Sequence, residues 1–329
     1  MQTRACPLTI APHPPTRSTV YAYYADAFVL PLPTGHRFPM EKYAMLRESV
    51  REHLPDVELR AAPAADLEDL LLVHDAAYVD AVLHGRLTPA QEREIGLPWS
   101  ERMPYRSVRS VGATLAATRS ARRDGVACNM AGGTHHAYAY KGSGFCVFND
   151  VAVATRVLQR QARAAGQTVD VAIIDLDVHQ GNGTADIFAS DANVFTLSIH
   201  GEKNFPFRKA ASDLDVELPD GAGDPLYLDA LRQALEQLDA RFAPDMVYYL
   251  AGADPHEGDR LGRMKLTDQG MAARDAMVFE WAKSRQLPLA FAMAGGYGRD
   301  LRDTVRVQTQ TLRIAARMAA GWTLRPKAF

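Results

Sequence analysis

The sequence predicts a three-layer α/β/α fold built on a central, mostly parallel sheet. Three observations carry that expectation. Five short runs are apolar throughout, as strands buried on both faces of a sheet must be. Helical patterns of amphipathic spacing separate most of them, which is the rhythm of a sheet covered on both sides. Finally, four of the runs end in Gly, His and Asp residues, at the strand ends where open parallel sheets collect ligands.

Taken in order, residues 1–19 are rich in Pro and Thr without a period and read as an irregular lead-in. Apolar residues three and four apart then predict helices over 41–53, 64–84 and 105–123. The first apolar run is Val126-Ala127-Cys128-Asn129-Met130, followed by a helix over 149–165. Two strands follow, Val171-Ala172-Ile173-Ile174-Asp175 and Val194-Phe195-Thr196-Leu197-Ser198, and then a helix over 224–241. The strand Met246-Val247-Tyr248-Tyr249-Leu250 leads into a helix over 268–285. Leu289-Ala290-Phe291-Ala292-Met293 and a helix over 300–319 close the pattern. A chain of 329 residues, 47% of them apolar, is large enough for one big domain or two tightly joined halves.

Composition excludes several function classes. Thirty-seven basic residues against 39 acidic ones give a net charge of -2, so no overall positive field favours nucleic acid or an anionic membrane. Cys6, Cys128 and Cys146 lack metal-type pairing and fit a reduced compartment. No run approaches the roughly 20 apolar residues that span a bilayer. A soluble, cytoplasmic protein that binds neither nucleic acid nor membrane is expected.

The strand-end residues point to metal chemistry. Asp177 and His179 are two apart, so in an extended segment they share a side and can grip one cation. Asp254, after another strand, supplies a third ligand and leaves a position open for water and substrate. Oxygen and nitrogen donors without thiolate suit zinc or ferrous iron. His135-His136, after Gly132-Gly133, reads as a base site, with Asp175 available to orient one ring and Asn182 the other. Tyr297, between Gly296 and Gly298, is placed to donate to a developing oxyanion. Two glycine-rich stretches are decoys: Gly181-Asn182-Gly183 has Asp186 where a dinucleotide fingerprint needs glycine, and Lys141 precedes its glycines instead of following them.

These residues resemble the histone deacetylase superfamily, which includes acetylpolyamine amidohydrolases and acetoin-utilisation proteins, over about Leu32 to Arg313. The carriers are Gly132-Gly133-Thr134-His135-His136-Ala137, the run from Gly144 to Asp150, and Ile174-Asp175-Leu176-Asp177-Val178-His179-Gln180-Gly181-Asn182-Gly183-Thr184. Ala251-Gly252-Ala253-Asp254, Gly258-Asp259 and Gly295-Gly296-Tyr297 complete them. Gln180, Asn182 and the run from Glu257 to Gly262 are most similar to the class IV branch and its bacterial relatives.

The resemblance implies a single arginase/deacetylase-like domain over 20–329 that hydrolyses an acyl-lysine amide with metal-activated water. It implies Asp177, His179 and Asp254 as ligands of Zn2+, with Fe2+ as the alternative, and His135 and His136 as tandem catalytic histidines. Asp175 would back His135, and Tyr297 would polarise the carbonyl. Gly144 and Phe145 would line an acyl tunnel opposite Phe205. Ser198 and the carbonyls of Asp175, Asp177, His179 and Ile199 would match a structural K+ or Na+ site. Asn182 stands where many deacetylases carry a second aspartate, so His136 is expected to be the more easily neutral histidine and the better base. The class IV likeness suggests a preference for long acyl chains. The partner is then an acylated lysine of a protein or peptide, or a small acylated amine such as an acylpolyamine. A non-catalytic acyl-group binder is the rival of another class, and it needs neither both histidines nor Tyr297.

Overall fold

The computed structural model describes residues 19–27 and 29–325, so all of the lead-in except Thr19 lies outside the described residues. Eight strands form one sheet: β1 Val20–Tyr24, β2 Val57–Ala61, β3 Val126–Asn129, β4 Val171–Asp175, β5 Val194–Gly201, β6 Leu214–Leu218, β7 Met246–Leu250 and β8 Leu289–Ala292. Their order is β2-β1-β3-β8-β7-β4-β5-β6, and every pairing is parallel. The helices are α1 Glu41–His53, α2 Leu67–Leu70, α3 Ala76–Leu83, α4 Pro89–Ile95, α5 Arg102–Asp124, α6 Asp150–Ala164, α7 Asn182–Phe188, α8 Asp224–Arg241, α9 Asp268–Ser284 and α10 Leu301–Ala319. The predicted three-layer fold is the one observed.

Alternate residues of each inner strand enter different cores, which is why those strands are apolar throughout. Ala172, Ile174, Val247, Tyr249 and Phe291 pack against Leu46 of α1, Leu231 of α8, Phe279 of α9 and Leu312 of α10. Val171, Ile173, Met246, Tyr248 and Ala290 pack on the opposite face against Val79 of α3, Ala117 of α5 and Leu158 of α6. Each fully buried Ile, Leu or Phe contributes on the order of 1.5–3 kcal/mol.

Three strands and a helix boundary correct the sequence-based expectation. β2 and β6 are edge strands, and their alternating Val-Glu-Leu-Arg-Ala and Leu-Asp-Val-Glu-Leu follow from having a partly solvated side. β1 precedes the first predicted element. The helix expected over 64–84 is two helices, because the backbone N–H of Asp75 donates to Ala139 O (2.9 Å) and the buried His74 accepts from Asn149 N (3.0 Å). Those bonds pull the chain off the helical path. Among the described residues no helix is long and apolar enough to cross a membrane.

The sheet order makes β3, β8, β7 and β4 neighbours, and their ends are in register: Asn129 faces Ala292, Ala292 faces Leu250, and Leu250 faces Asp175. The four chemistry-bearing loops therefore leave the same edge side by side.

Candidate active site

Asp177 and His179 follow β4 and Asp254 follows β7. One donor atom from each lies within 4.8 Å of the others, and all three residues are buried. His179 Nδ1 is 2.9 Å from Asp177 Oδ1 and 3.2 Å from Asp254 Oδ2. Backbone donors fix the carboxylates: Gly295 N–H donates to Asp177 Oδ2 (2.7 Å) and Val178 N–H to Asp254 Oδ1 (2.9 Å). Only glycine fits at 295, since a Cβ there would sit 2.0 Å from Asp254 Oδ2 and 2.5 Å from Asp177 Oδ2. Asp254 Oδ2 is buried, and apart from the His179 ring at 3.2 Å it has no hydrogen-bond partner. A buried carboxylate oxygen without a partner is costly. Two carboxylates, an imidazole and that orphaned oxygen fit a divalent cation of the zinc or ferrous type.

The electrostatics agree. Burial alone would lower the His179 pKa, but Asp177 and Asp254 outweigh it and raise it to about 10. Burial and the charge of Asp177 push Asp254 up to about 7. Asp177 is also buried, yet the neighbouring His135 and His179 hold it well below the usual carboxylate range. Buried carboxylates that share the proton of an imidazole are groups at which a cation would replace that proton.

The tandem histidines stand with ring centroids 4.1 Å apart in the loop after β3. His135 Nδ1 meets Asp175 Oδ2 at 2.6 Å. Burial opposes its charged form, but Asp175 and Asp177 win and raise its pKa to about 9. His136 Nδ1 meets Asn182 Oδ1 at 2.7 Å, and the Asn182 amide nitrogen in turn donates to the Tyr138 hydroxyl (2.7 Å). With the amide oxygen of Asn182 facing the ring, Nδ1 of His136 is the donor and Nε2 keeps its lone pair. Burial and the charges of His135 and His179 lower its pKa well below the usual value. Two adjacent imidazoles thus carry opposite protonation states, the pattern of a paired acid and base.

Tyr297 follows β8, and its backbone N–H donates to Asp259 Oδ2 (2.6 Å), whose other oxygen accepts from Leu261 N (2.7 Å) and Gly262 N (2.8 Å). Burial and the two aspartates push its phenol pKa far up, so the hydroxyl remains a donor. Its ring centroid lies 5.9 Å from Phe145 and 6.4 Å from His179. Phe205 stands edge-on to His136 at 4.9 Å, so Phe145, Phe205 and Tyr297 wall one passage. Gly144, with φ +52°, passes so close to His136 that a Cβ would lie 2.5 Å from Cδ2. Phe145 itself has φ +67°, held by its N–H to Ile95 O (2.7 Å). The site itself opens into a cavity of about 70 Å³ that runs from His135, His136, Asp177 and Tyr297 past Ala131 toward Leu30 and Met103. Ser198 pairs with Asp175 across β4 and β5, and its hydroxyl lies 3.0 Å from His200 Nδ1; Ile199 is buried beside it.

Several residues outside the predicted site support it. Asp150, at the start of α6, accepts from the backbone of Gly133 (3.1 Å) and Thr134 (2.8 Å) and so holds the histidine loop. Lys42 is buried, donates to Gly296 O (3.2 Å) and lies 5.3 Å from the Tyr297 ring centroid. Arg274 of α9 is fully buried and donates to the carbonyls of Gly252 (2.6 Å) and Leu176 (3.2 Å), bracing both metal-ligand loops. Lys42 lies in line with Leu46 and Val50, and Arg274 with Met271 and Val278. A charge on an apolar helical stripe was the available signal.

Comparison with known proteins bears on this geometry directly. The family model described as "Histone deacetylase domain" matches residues 36–312. An uncharacterized protein of Picosynechococcus is 43% identical, covering 86% of this chain and 93% of its own length. Histone deacetylase 2 of Arabidopsis thaliana is 32% identical over 76% of this chain, and a histone deacetylase-like amidohydrolase of Pseudomonas aeruginosa is 31% identical over 69%. The chain spans 65% and 62% of those two relatives' lengths. A crystal structure of an HDAC homolog from Aquifex aeolicus superposes with a TM-score of 0.76 at 24% identity, covering 94% of this chain and 86% of that one, and shows the same fold. With its domain matched across most of its length, the chain belongs to the histone deacetylase family.

Proposed function

We propose that the protein is a metal-dependent deacylase that hydrolyses the amide of an acyl-lysine, acetyl or longer. The observation that carries this reading is the pairing of His135 with a carboxylate and of His136 with an amide, beside a buried Asp–His–Asp cluster at the end of an aromatic-walled passage. Asp177, His179 and Asp254 would hold zinc or ferrous iron, which when bound supplies Lewis-acid polarisation and a more acidic water.

The protein's own groups do the rest. Phe145 and Phe205 hold the acyl-amine arm and exclude bulk water. His136 Nε2 takes a proton from the attacking water as oxygen adds to the amide carbon. The Tyr297 hydroxyl donates to the carbonyl oxygen as negative charge grows there, and the His135 imidazolium stabilises that charge. The proton is returned to the nitrogen as the C–N bond breaks, releasing a carboxylic acid and a lysine amine. The strand-end carbonyls of Asp175, Asp177, His179 and Ile199, with Ser198, would take a structural K+ or Na+.

The cavity of about 70 Å³, which includes the reaction centre, has room for roughly five to seven water-sized groups, by the ~10–15 Å³ each requires. Acyl chains several methylenes longer than acetyl would fill it, each adding about 0.8 kcal/mol of binding. Mass spectrometry of acetyl-, octanoyl- and myristoyl-lysine peptides after incubation with zinc-loaded protein tests the function. Conversion to the unacylated lysine peptide, fastest for an intermediate chain, is expected; acylated peptides left intact throughout would overturn the assignment.

A further inference from the structure

The charge at the tunnel mouth departs from that of the chain as a whole. Net charge is -2, yet the bowl of about 1160 Å³ that opens over Phe145, Phe205 and Tyr297 is lined by basic side chains and a single carboxylate, Glu94. Two of those cations are neutralised in place, Lys141 by Glu94 (2.6 Å) and Arg263 by Asp220 (3.0 Å). Arg37, Arg93, Lys203, Arg208 and Arg260 are exposed and have no carboxylate partner among the described residues.

These five come from four segments: the stretch before α1, α4, the loop after β5, which carries Lys203 and Arg208, and the loop after β7. They ring the opening instead of following one face. The β5 loop is also tied down. Lys209 turns inward to donate to the carbonyls of Asn204 (2.8 Å) and Pro206 (2.7 Å), while Lys203, Arg208 and the 86% exposed Phe207 point outward.

Resting on the deacylase reading, we propose that the acyl-lysine is presented on an acidic peptide segment, with Asp or Glu within a few residues on either side. An acylpolyamine keeps ammonium groups that this ring would repel, and so does a basic protein tail. An acyl-lysine side chain is neutral as it enters. Hydrolysis turns it into an ammonium ion, which the same ring helps to expel. Cations that ring a mouth offer no extended basic track for a phosphate backbone, and the field of the ring fades within about 8–10 Å. That reach covers the flanking residues of a peptide.

The test uses three acyl-lysine peptides of equal length, flanked by acidic, neutral or basic residues, together with an acylated spermidine, in the zinc-loaded protein. We expect kcat/KM for the acidic peptide to exceed that for the basic one by about tenfold or more at low salt, and the gap to shrink at high salt. Acylspermidine should rank with the basic peptide. Arg93→Glu combined with Lys203→Glu should bring the acidic-to-basic ratio to about one or invert it. Equal kcat/KM for all three peptides overturns the proposal while leaving amide hydrolysis standing. Fluorescence anisotropy of the labelled peptides reads the ring without turnover. If no peptide is cleaved, a retained binding preference for the acidic one supports the ring and refutes the deacylase reading, and an absent preference refutes both. Duplex DNA that binds where no peptide preference exists would assign the ring to nucleic acid instead and overturn the proposal.

Discussion

Replacing Arg274 by methionine should weaken both the fold and the metal site. The guanidinium is fully buried, bonds Asp275 Oδ1 (2.9 Å) through Nε, and donates to the carbonyls of Leu176 (3.2 Å) and Gly252 (2.6 Å). Leu176 directly precedes Asp177, and Gly252 lies two residues before Asp254. In the variant those carbonyls lose a buried donor. Asp275 loses its cation, although the Thr311 hydroxyl (2.6 Å) still donates to it. Breaking one partner of a buried pair costs about 3–5 kcal/mol. At about 2–4 °C per kcal/mol for a domain of this order, Tm should drop by roughly 6–20 °C. Slippage of either loop also misplaces a ligand, and loss of such outer support commonly weakens metal binding about 10–100-fold. Thermal unfolding of the metal-free protein and zinc titration against a competing chelator measure the two effects separately. Arg274→Lys, which keeps a cation but reaches fewer acceptors, should fall between. Wild-type Tm and zinc affinity in Arg274→Met would refute the bracing role.

Other outcomes follow from the same geometry. Tyr297→Phe should keep the fold and the metal while slowing turnover on the order of 100–1000-fold, as loss of one oxyanion donor does; near-wild-type turnover would reduce Tyr297 to packing. His136→Ala should lose more activity than His135→Ala, because only His136 presents an unprotonated Nε2; the reverse order in single-turnover assays would exchange their roles. In the metal-free protein His135 and His179 are raised to about 9 and about 10 from an unfolded value of about 6.5. Their contribution to stability is fully present below that unfolded value and is lost as pH rises through the folded ones. Tm of the metal-free protein should therefore fall between about pH 7 and pH 10, and a flat or rising profile would contradict these shifts.

Much of the site was legible because its chemistry sits at strand ends. Asp177, His179, Asp254, His135, His136 and Tyr297 each follow an apolar run, and parallel topology brings such ends to one edge. The edge strands β2 and β6 escaped because Glu58, Arg60, Asp215 and Glu217 break the apolar run that marked the inner strands. α4 has a signal in the sequence itself: Thr88 and Gln91 form a capping box, with Pro89 at the first helical position. The break near His74 was not legible, since it depends on Ala139 and Asn149, residues far along the chain. The basic rim was hidden for a different reason. Its five uncompensated cations are scattered from Arg37 to Arg260, and a net charge of -2 averages them away.

The most direct test of the account is turnover of one acyl-lysine peptide measured beside metal content, in the wild-type protein and in Asp254→Ala. The account predicts about one equivalent of zinc or iron in the wild type, activity lost on chelation and restored by adding zinc, and neither metal nor activity in Asp254→Ala. Full activity after complete chelation, or stoichiometric metal retained by Asp254→Ala, would contradict it.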